Sequence, residues 1–317
     1  MTNHDAPFSR RRALAAGAGA VVGFAGVGAP VRPASAVDLV PLEVAYAGSM
    51  TSLMEGPIKQ LAADKLGVDM HGRPQGSSGL AKLIVGGSIR PDVFVAVTPS
   101  PMRTVLSASK ARAGVPVART AMVIAYSPKS AFAPQFSVAA AGRSPAWWQV
   151  LEMSGIRFGR TDPNTDPQGR NIIYTMQLAA LTYDQPDLVA RILGEPINPA
   201  QIFSEPTIEA RLQSGELDAA SAYKIQPGPF GLPFVTLPAT IDLSDDRRQR
   251  SYARAEVTLD GNAHHPEPLV YYAAALSAAP QAAKAKAFVD LLAGPEGQAV
   301  FHRFGYDPAG SAAPLHA

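Results

Sequence analysis

The chain contains no cysteine in 317 residues. That excludes disulfide staples, a thiolate nucleophile, thiolate metal ligands and a lipid-modified N-terminal cysteine. Charge is also sparse: charged residues make up 17% of the chain, and the formal net charge is only +2. No Lys/Arg stripe with interleaved aromatics runs along it, so nucleic acid is not an expected partner. Histidine is scarce at six residues, and none stands in a Ser/His/Asp context. There is no Gly-x-Ser-x-Gly elbow, no His-Glu-x-x-His and no phosphate loop ending Gly-Lys-Ser/Thr, which argues against an exported enzyme of any familiar type.

What is present begins with an address. Ser9-Arg10-Arg11-Arg12 precedes a weakly apolar run from Ala15 to Gly28, and Ala34-Ser35-Ala36 follows with small residues. Basic, apolar and small-residue regions in this order make an export signal over residues 1–36, and the paired arginines favour the twin-arginine route. The run is too short and glycine-rich to span about 30 Å of hydrocarbon, so cleavage rather than anchoring is expected. The signal holds four of the 28 basic and one of the 26 acidic residues, so the remaining chain is close to neutral, at net −1. With 47% hydrophobic residues it can build a large core without covalent staples, as a periplasmic or secreted protein.

The order of elements is α/β. Strands at Leu42–Ala47, Val68–Pro74 and Asp92–Val97 are each followed by a helical stretch, which predicts mostly parallel strands with right-handed crossovers. Val117–Tyr126 reads as a strand long enough to leave one sheet and enter another, and Ser127–Phe136 as loop. A second α/β series runs through strands near Ile156–Gly159, Ala219–Tyr223 and Leu269–Ala275, and the terminal helices return to the first unit. This predicts a two-lobed clamshell. Residues 37–122 plus 272–317 form one lobe, 123–271 the other, and hinges lie near Ala121–Tyr126 and Leu269–Ala275. Ligands of open α/β sheets bind beyond the carboxyl ends of the strands, here in the cleft between lobes.

Two serine turns sit at such strand ends. Ser49 and the Ser77-Ser78 pair each lie between a strand and a helix, where unpaired N–H groups and the helix dipole attract an anion. A serine hydroxyl adds a neutral donor there. Plain N-capping is the alternative, but two such turns in one lobe favour anion binding. Other clusters are weaker. His264-His265 with Glu267 belongs to a loop rather than a metal site, because adjacent histidines do not share a face. Trp147-Trp148 reads as core or lobe surface.

At these positions the chain resembles a known family. Tyr46-Ala47-Gly48-Ser49-Met50, Gly76-Ser77-Ser78-Gly79-Leu80 and Arg90-Pro91-Asp92-Val93-Phe94 are similar to segments of the molybdate/tungstate-binding components of ABC importers. So are Gly159-Arg160-Thr161-Asp162-Pro163-Asn164-Thr165-Asp166-Pro167-Gln168-Gly169-Arg170, Ala222-Tyr223-Lys224 and Leu237-Pro238-Ala239-Thr240-Ile241-Asp242-Leu243. The resemblance implies a type II periplasmic-binding fold that holds a tetrahedral oxyanion and passes it to permease subunits. It implies a monomer with no cofactor, no metal beyond the oxyanion's own, and no chemistry done on the ligand. Sulfate or another small anion is the alternative ligand, and an exported enzyme a more distant one. By position Ser49, Ser77 and Ser78 are ligand donors, with Asp166 and Tyr223 from the second lobe and a backbone N–H near Thr120 or Ala121.

One position departs from the pattern. In the tungstate-handling branch a glutamate commonly precedes the strand tyrosine, and this chain has Ala222, which favours tetrahedral hydrogen bonding over six-coordinate binding. Asp166 then has three possible roles beside a dianion. It acts through its backbone N–H while its carboxylate caps the helix that Pro167 begins; or it pairs with Arg160 or Arg170; or it reaches the metal as a hard oxygen ligand.

Overall fold

The computed structural model describes residues 39–317; the export-signal reading falls on residues outside that range. Among the described residues, twelve strands run in chain order. The first six are β1 (Val40–Ala47), β2 (Val68–Gln75), β3 (Val93–Val97), β4 (Ala113–Arg119), β5 (Met122–Tyr126) and β6 (Phe158–Gly159). The others are β7 (Ala219–Tyr223), β8 (Phe234–Thr236), β9 (Val257–Leu259), β10 (Asn262–His264), β11 (Val270–Ala275) and β12 (Leu315–His316). They form a six-stranded sheet ordered β12-β4-β11-β3-β1-β2, a four-stranded sheet ordered β6-β7-β5-β8, and the hairpin β9–β10.

The strand sequences explain their places. All five residues of β3, β5 and β7 are buried, as expected of central strands covered on both faces. The edge strand β2 is buried only at its start and carries Gly72, Arg73 and Pro74 along its exposed half, residues that blunt an open edge. The sheets are more antiparallel than the repeated strand–helix order implies. Pairings β1–β2, β1–β3 and β6–β7 are parallel, whereas β11–β3, β11–β4, β12–β4, β5–β7 and β5–β8 are antiparallel. The strands that pass between the sheets cause this: they run back against their neighbours.

The expected long strand Val117–Tyr126 divides at Thr120-Ala121 into β4 and β5, which belong to different sheets. The return is at Leu269, just before β11 enters the first sheet between β3 and β4. The two crossings are tied together where they pass: the Thr120 N–H donates to Leu269 O at 3.0 Å, and the Met122 N–H to Asp242 O at 2.8 Å. Part of the expected loop Ser127–Phe136 is instead the start of the helix Ala133–Ala140, with Pro134 in its first turn; that proline begins a helix rather than ending one. The terminal helices Ala282–Ala293 and Pro295–Arg303 pack on β3, β4 and β11 of the first sheet.

Candidate functional site

Ser49 sits in a single helical turn, Gly48–Met50, directly after β1. Its Oγ lies 3.0 Å from the hydroxyl of Tyr271 in β11. Ser77 opens the helix Ser77–Val85, with Gly76 as its N-cap. It is 1% exposed, and its Oγ accepts the Val97 N–H at 3.1 Å. Tyr223 ends β7, also 1% exposed, and its hydroxyl oxygen accepts from Asn171 Nδ2 at 3.0 Å. Its backbone N–H donates to Gln226 Oε1.

The polarity of these contacts matters more than their number. The oxygens of Ser77 and Tyr223 already accept a hydrogen bond from the protein, so each hydroxyl still has its proton to give. A set of neutral donors whose acceptor side is occupied suits a ligand that can only accept, which a fully deprotonated oxyanion is. Burial, with the nearby Asp166 carboxylate next in weight, holds the Tyr223 phenol well above its ordinary pKa. Burial does the same for Tyr271. Both phenols therefore stay protonated donors.

Asp166 is the N-cap of the helix Pro167–Thr182, and its Oδ1 accepts the Gln168 N–H at 3.0 Å. Its own N–H is already given to Asp162 O at 2.9 Å, so the expectation that it offers a free backbone donor is corrected. Arg160 does not pair with it: that guanidinium is fully buried and donates to Gln201 Oε1 and to the carbonyls of Pro196 and Glu195. Burial raises the Asp166 pKa to about 6, against the opposing Gln168 N–H and Arg170 charge. Ser78 Oγ accepts from Arg170 Nη2 at 2.9 Å, a contact from the other lobe that, as at Ser77 and Tyr223, leaves its hydroxyl proton free. At Thr120 the expected backbone donor is already spent on Leu269; its Oγ1 is buried and has no partner among the described residues.

Ala222 packs among Val123, Ala125, Ile208 and Leu212, on the strand face opposite Tyr223. Two glutamates from the helix Glu205–Ser214 approach this region, and the sequence reading missed both. Gln226 Nε2 donates to Glu205 Oε1 at 2.7 Å and to Glu209 Oε1 at 3.2 Å, while its Oε1 also accepts from Gln168 Nε2 at 2.6 Å. Burial, then repulsion from Asp166 and Glu209, pushes Glu205 well above the usual carboxylate range. Burial raises Glu209 to about 7. Glu205 stands in the first turn of its helix, where any acid complements the helix dipole, so nothing local marks it as a site residue. Tyr271 was visible only as part of a hinge strand, and Asn171 as one polar residue in a long helix.

The lobes touch at the serine turns themselves. A Cβ on Gly48 would lie 2.0 Å from Glu205 Oε2, and one on Gly76 would lie 2.7 Å from Thr165 O and 3.3 Å from the Asp166 Cα. Beside these contacts a cavity of about 490 Å³ is lined by Thr51, Gln75 and Gly76 from one lobe and Thr165, Asp166 and Glu205 from the other. The His264-His265 region stays dispersed: His265 faces Glu256, whereas Glu267 receives Ser100 and Arg103. Among the described residues no group of three or more His, Asp or Glu is placed to hold a metal. Trp147 is buried and Trp148 stacks on Tyr183.

Two α/β lobes joined by crossing strands, meeting over a set of hydroxyl donors, define a type II periplasmic-binding clamshell. The chain belongs to the bacterial extracellular solute-binding protein family, whose pattern it matches over residues 42–307. A solute-binding protein of Halobacterium salinarum is 30% identical over 291 residues, covering 91% of this chain and 89% of that one. A Haloferax volcanii protein described as an ABC-transporter molybdenum-binding protein is 29% identical over 271 residues, 84% of this chain and 82% of the other. The fold is shared with the periplasmic molybdate-binding protein of Azotobacter vinelandii (TM-score 0.57, 18% identity, 84% and 98% of the two chains). It is shared too with a sulfate-binding protein of Mycobacterium tuberculosis (TM-score 0.56, 12% identity, 86% and 88%). Among the described residues no helix is long and apolar enough to cross a membrane.

Proposed function

We propose that this chain captures a tetrahedral oxyanion, molybdate or tungstate, between its lobes and delivers it to the permease of an ABC importer. The observation that carries this reading is the donor polarity of the buried hydroxyls: Ser77 and Tyr223 accept from Val97 and Asn171 and keep their protons to give. Ser49, paired with Tyr271, is the third donor. Thr120 is a further one through its unpartnered Oγ1. Asp166 serves by capping the helix start and needs no contact with the metal centre. The Haloferax volcanii relative, named for molybdenum binding, supports the ligand class.

In this reading the ligand is bound and released unchanged, with no cofactor, by a monomer exported through the twin-arginine route and cleaved after Ala36. On the same reading the lobes divide at Thr120-Ala121 and at Leu269, so Met122, expected with the first lobe, goes with the second, and Val270 and Tyr271, expected with the second, go with the first. A closed site with several neutral donors gives sub-micromolar affinity, about −8 kcal/mol or better. The test is calorimetric titration of the chain lacking its first 36 residues with molybdate, tungstate and sulfate. Saturable one-to-one binding of molybdate or tungstate, tighter than sulfate, is expected. Tighter sulfate binding would move the assignment to the sulfate class, and no heat with any of the three would end the oxyanion reading.

A further inference from the structure

Arg170 is half-buried near the start of the helix Pro167–Thr182, and its guanidinium is divided between the two lobes. Nη1 donates to Pro163 O at 2.9 Å, within its own lobe; Nη2 donates to Ser78 Oγ at 2.9 Å, in the other. The loop it holds, Pro163–Asp166, is the one whose Thr165 carbonyl rests on Gly76. Gly76 immediately precedes Ser77, whose hydroxyl is a donor of the candidate seat. A planar fork can fix two acceptors at once in a way a single ammonium cannot. The cleft cannot open without parting Nη2 from Ser78 and lifting Thr165 off Gly76.

We infer that Arg170 and Ser78 form a latch between the lobes, a positioning pair whose mutual bond holds the closed conformation and slows ligand escape. The effect on affinity rests on the oxyanion reading; the effect on lobe closure does not. Ser78 thereby gains a role beside the expected one: its oxygen receives the closing arm of Arg170.

Arg170→Gln and Ser78→Ala should each weaken molybdate binding by about tenfold, the worth of one charge-assisted hydrogen bond made only when closed. The loss should lie in the dissociation rate rather than in association. The double variant should be no worse than either single one, because both remove the same bond. Arg170→Lys keeps the charge but not the fork, and should fall with the Gln variant. Because the chain has no cysteine, one spin label can be placed on each lobe, at Ser107→Cys and Ser137→Cys, both exposed. Distances between them, measured without ligand, should lengthen or broaden when Arg170 or Ser78 is replaced. Additive affinity losses, an unchanged dissociation rate, or ligand-free distances identical to the parent would each overturn the latch. If the parent binds no oxyanion at all, the proposed function falls, and the ligand-free distances still decide whether the latch exists.

Discussion

Replacing Ser77 by alanine separates a binding role from a structural one, because the hydroxyl is placed to do both. Its oxygen is the acceptor for the Val97 N–H at 3.1 Å, in a position 1% exposed. Removing it leaves a buried N–H without a partner, which should cost about 1–3 kcal/mol of folding stability. The same substitution removes a donor to a doubly charged ligand. A hydrogen bond to a charged group contributes about 1.5–3 kcal/mol, so the dissociation constant should rise by about 10- to 150-fold. Urea unfolding of the ligand-free chain reads the first effect, and calorimetry well below the melting temperature reads the second. Ser78→Ala is the companion for the stability arm, since it leaves the Val97 N–H partnered and should unfold in urea close to the parent. If Ser77→Ala lost stability as expected but bound molybdate with the parent's affinity, the serine would be an acceptor for Val97 and nothing more. The hydroxyl proton of Ser77 would then have no ligand to meet.

Gly76→Ala should leave the open lobes intact but block closure, because its Cβ would stand 2.7 Å from the Thr165 carbonyl oxygen. Ligand-induced compaction in X-ray scattering should disappear, and affinity should fall by at least about tenfold as the binding-competent state becomes rare; normal compaction would refute the close approach. Tyr223→Phe removes a donor and strands the Asn171 amide, so binding should weaken by about 1.5–3 kcal/mol with some loss of stability, measured by the same calorimetry and urea unfolding. Glu209 gives a pH signature. Burial raises its pKa from the usual 4.5 to about 7, so between those values the unfolded chain releases a proton that the folded chain keeps. Stability should therefore fall as pH rises through that window, by about 3 kcal/mol from this group. Glu209→Gln should flatten that part of the curve in urea unfolding at pH 4.5 and 7.5, and an unchanged slope would show that the carboxyl titrates normally.

Much of the first lobe was legible because its signals are local. Apolar runs at β1 and β3, the Gly-Ser turns after β1 and β2, and Pro167 at a helix start each fix their own neighbourhood within a few residues. The pairing directions were not legible. Strands β4, β5 and β11 pair across large sequence distances, and nothing local records which way they run. At the site, Ser77 could be named from its strand end and Tyr223 from the family resemblance, but their partners could not. Asn171, Tyr271 and Gln226 reach the same place from separate elements, and each looks unremarkable along its own segment. Of the first role set out for Asp166, the helix cap stands, but its N–H is not free, because the turn Asp162–Asp166 closes on itself and uses it.

The two serine turns carry more than their hydroxyls. In each, the glycine before the serine is the point where the opposite lobe rests: Gly48 under Glu205, and Gly76 under Thr165 and Asp166. Only the absence of a side chain permits either approach. A serine that offers a donor therefore stands one residue from a glycine that receives the other lobe, and this happens twice. Capture at the hydroxyl and closure at the glycine cannot be far apart in space, so a ligand held by Ser49 and Ser77 lies where the lobes meet. The carboxylates that arrive with the second lobe, Asp166 and Glu205, then face the same small volume. Burial already raises the pKa of both, which limits how much negative charge the closing lobe brings to an anion. In the proposed reading, neutral hydroxyl donors from both lobes and second-lobe acids whose pKa values are raised let the cleft shut on a dianion.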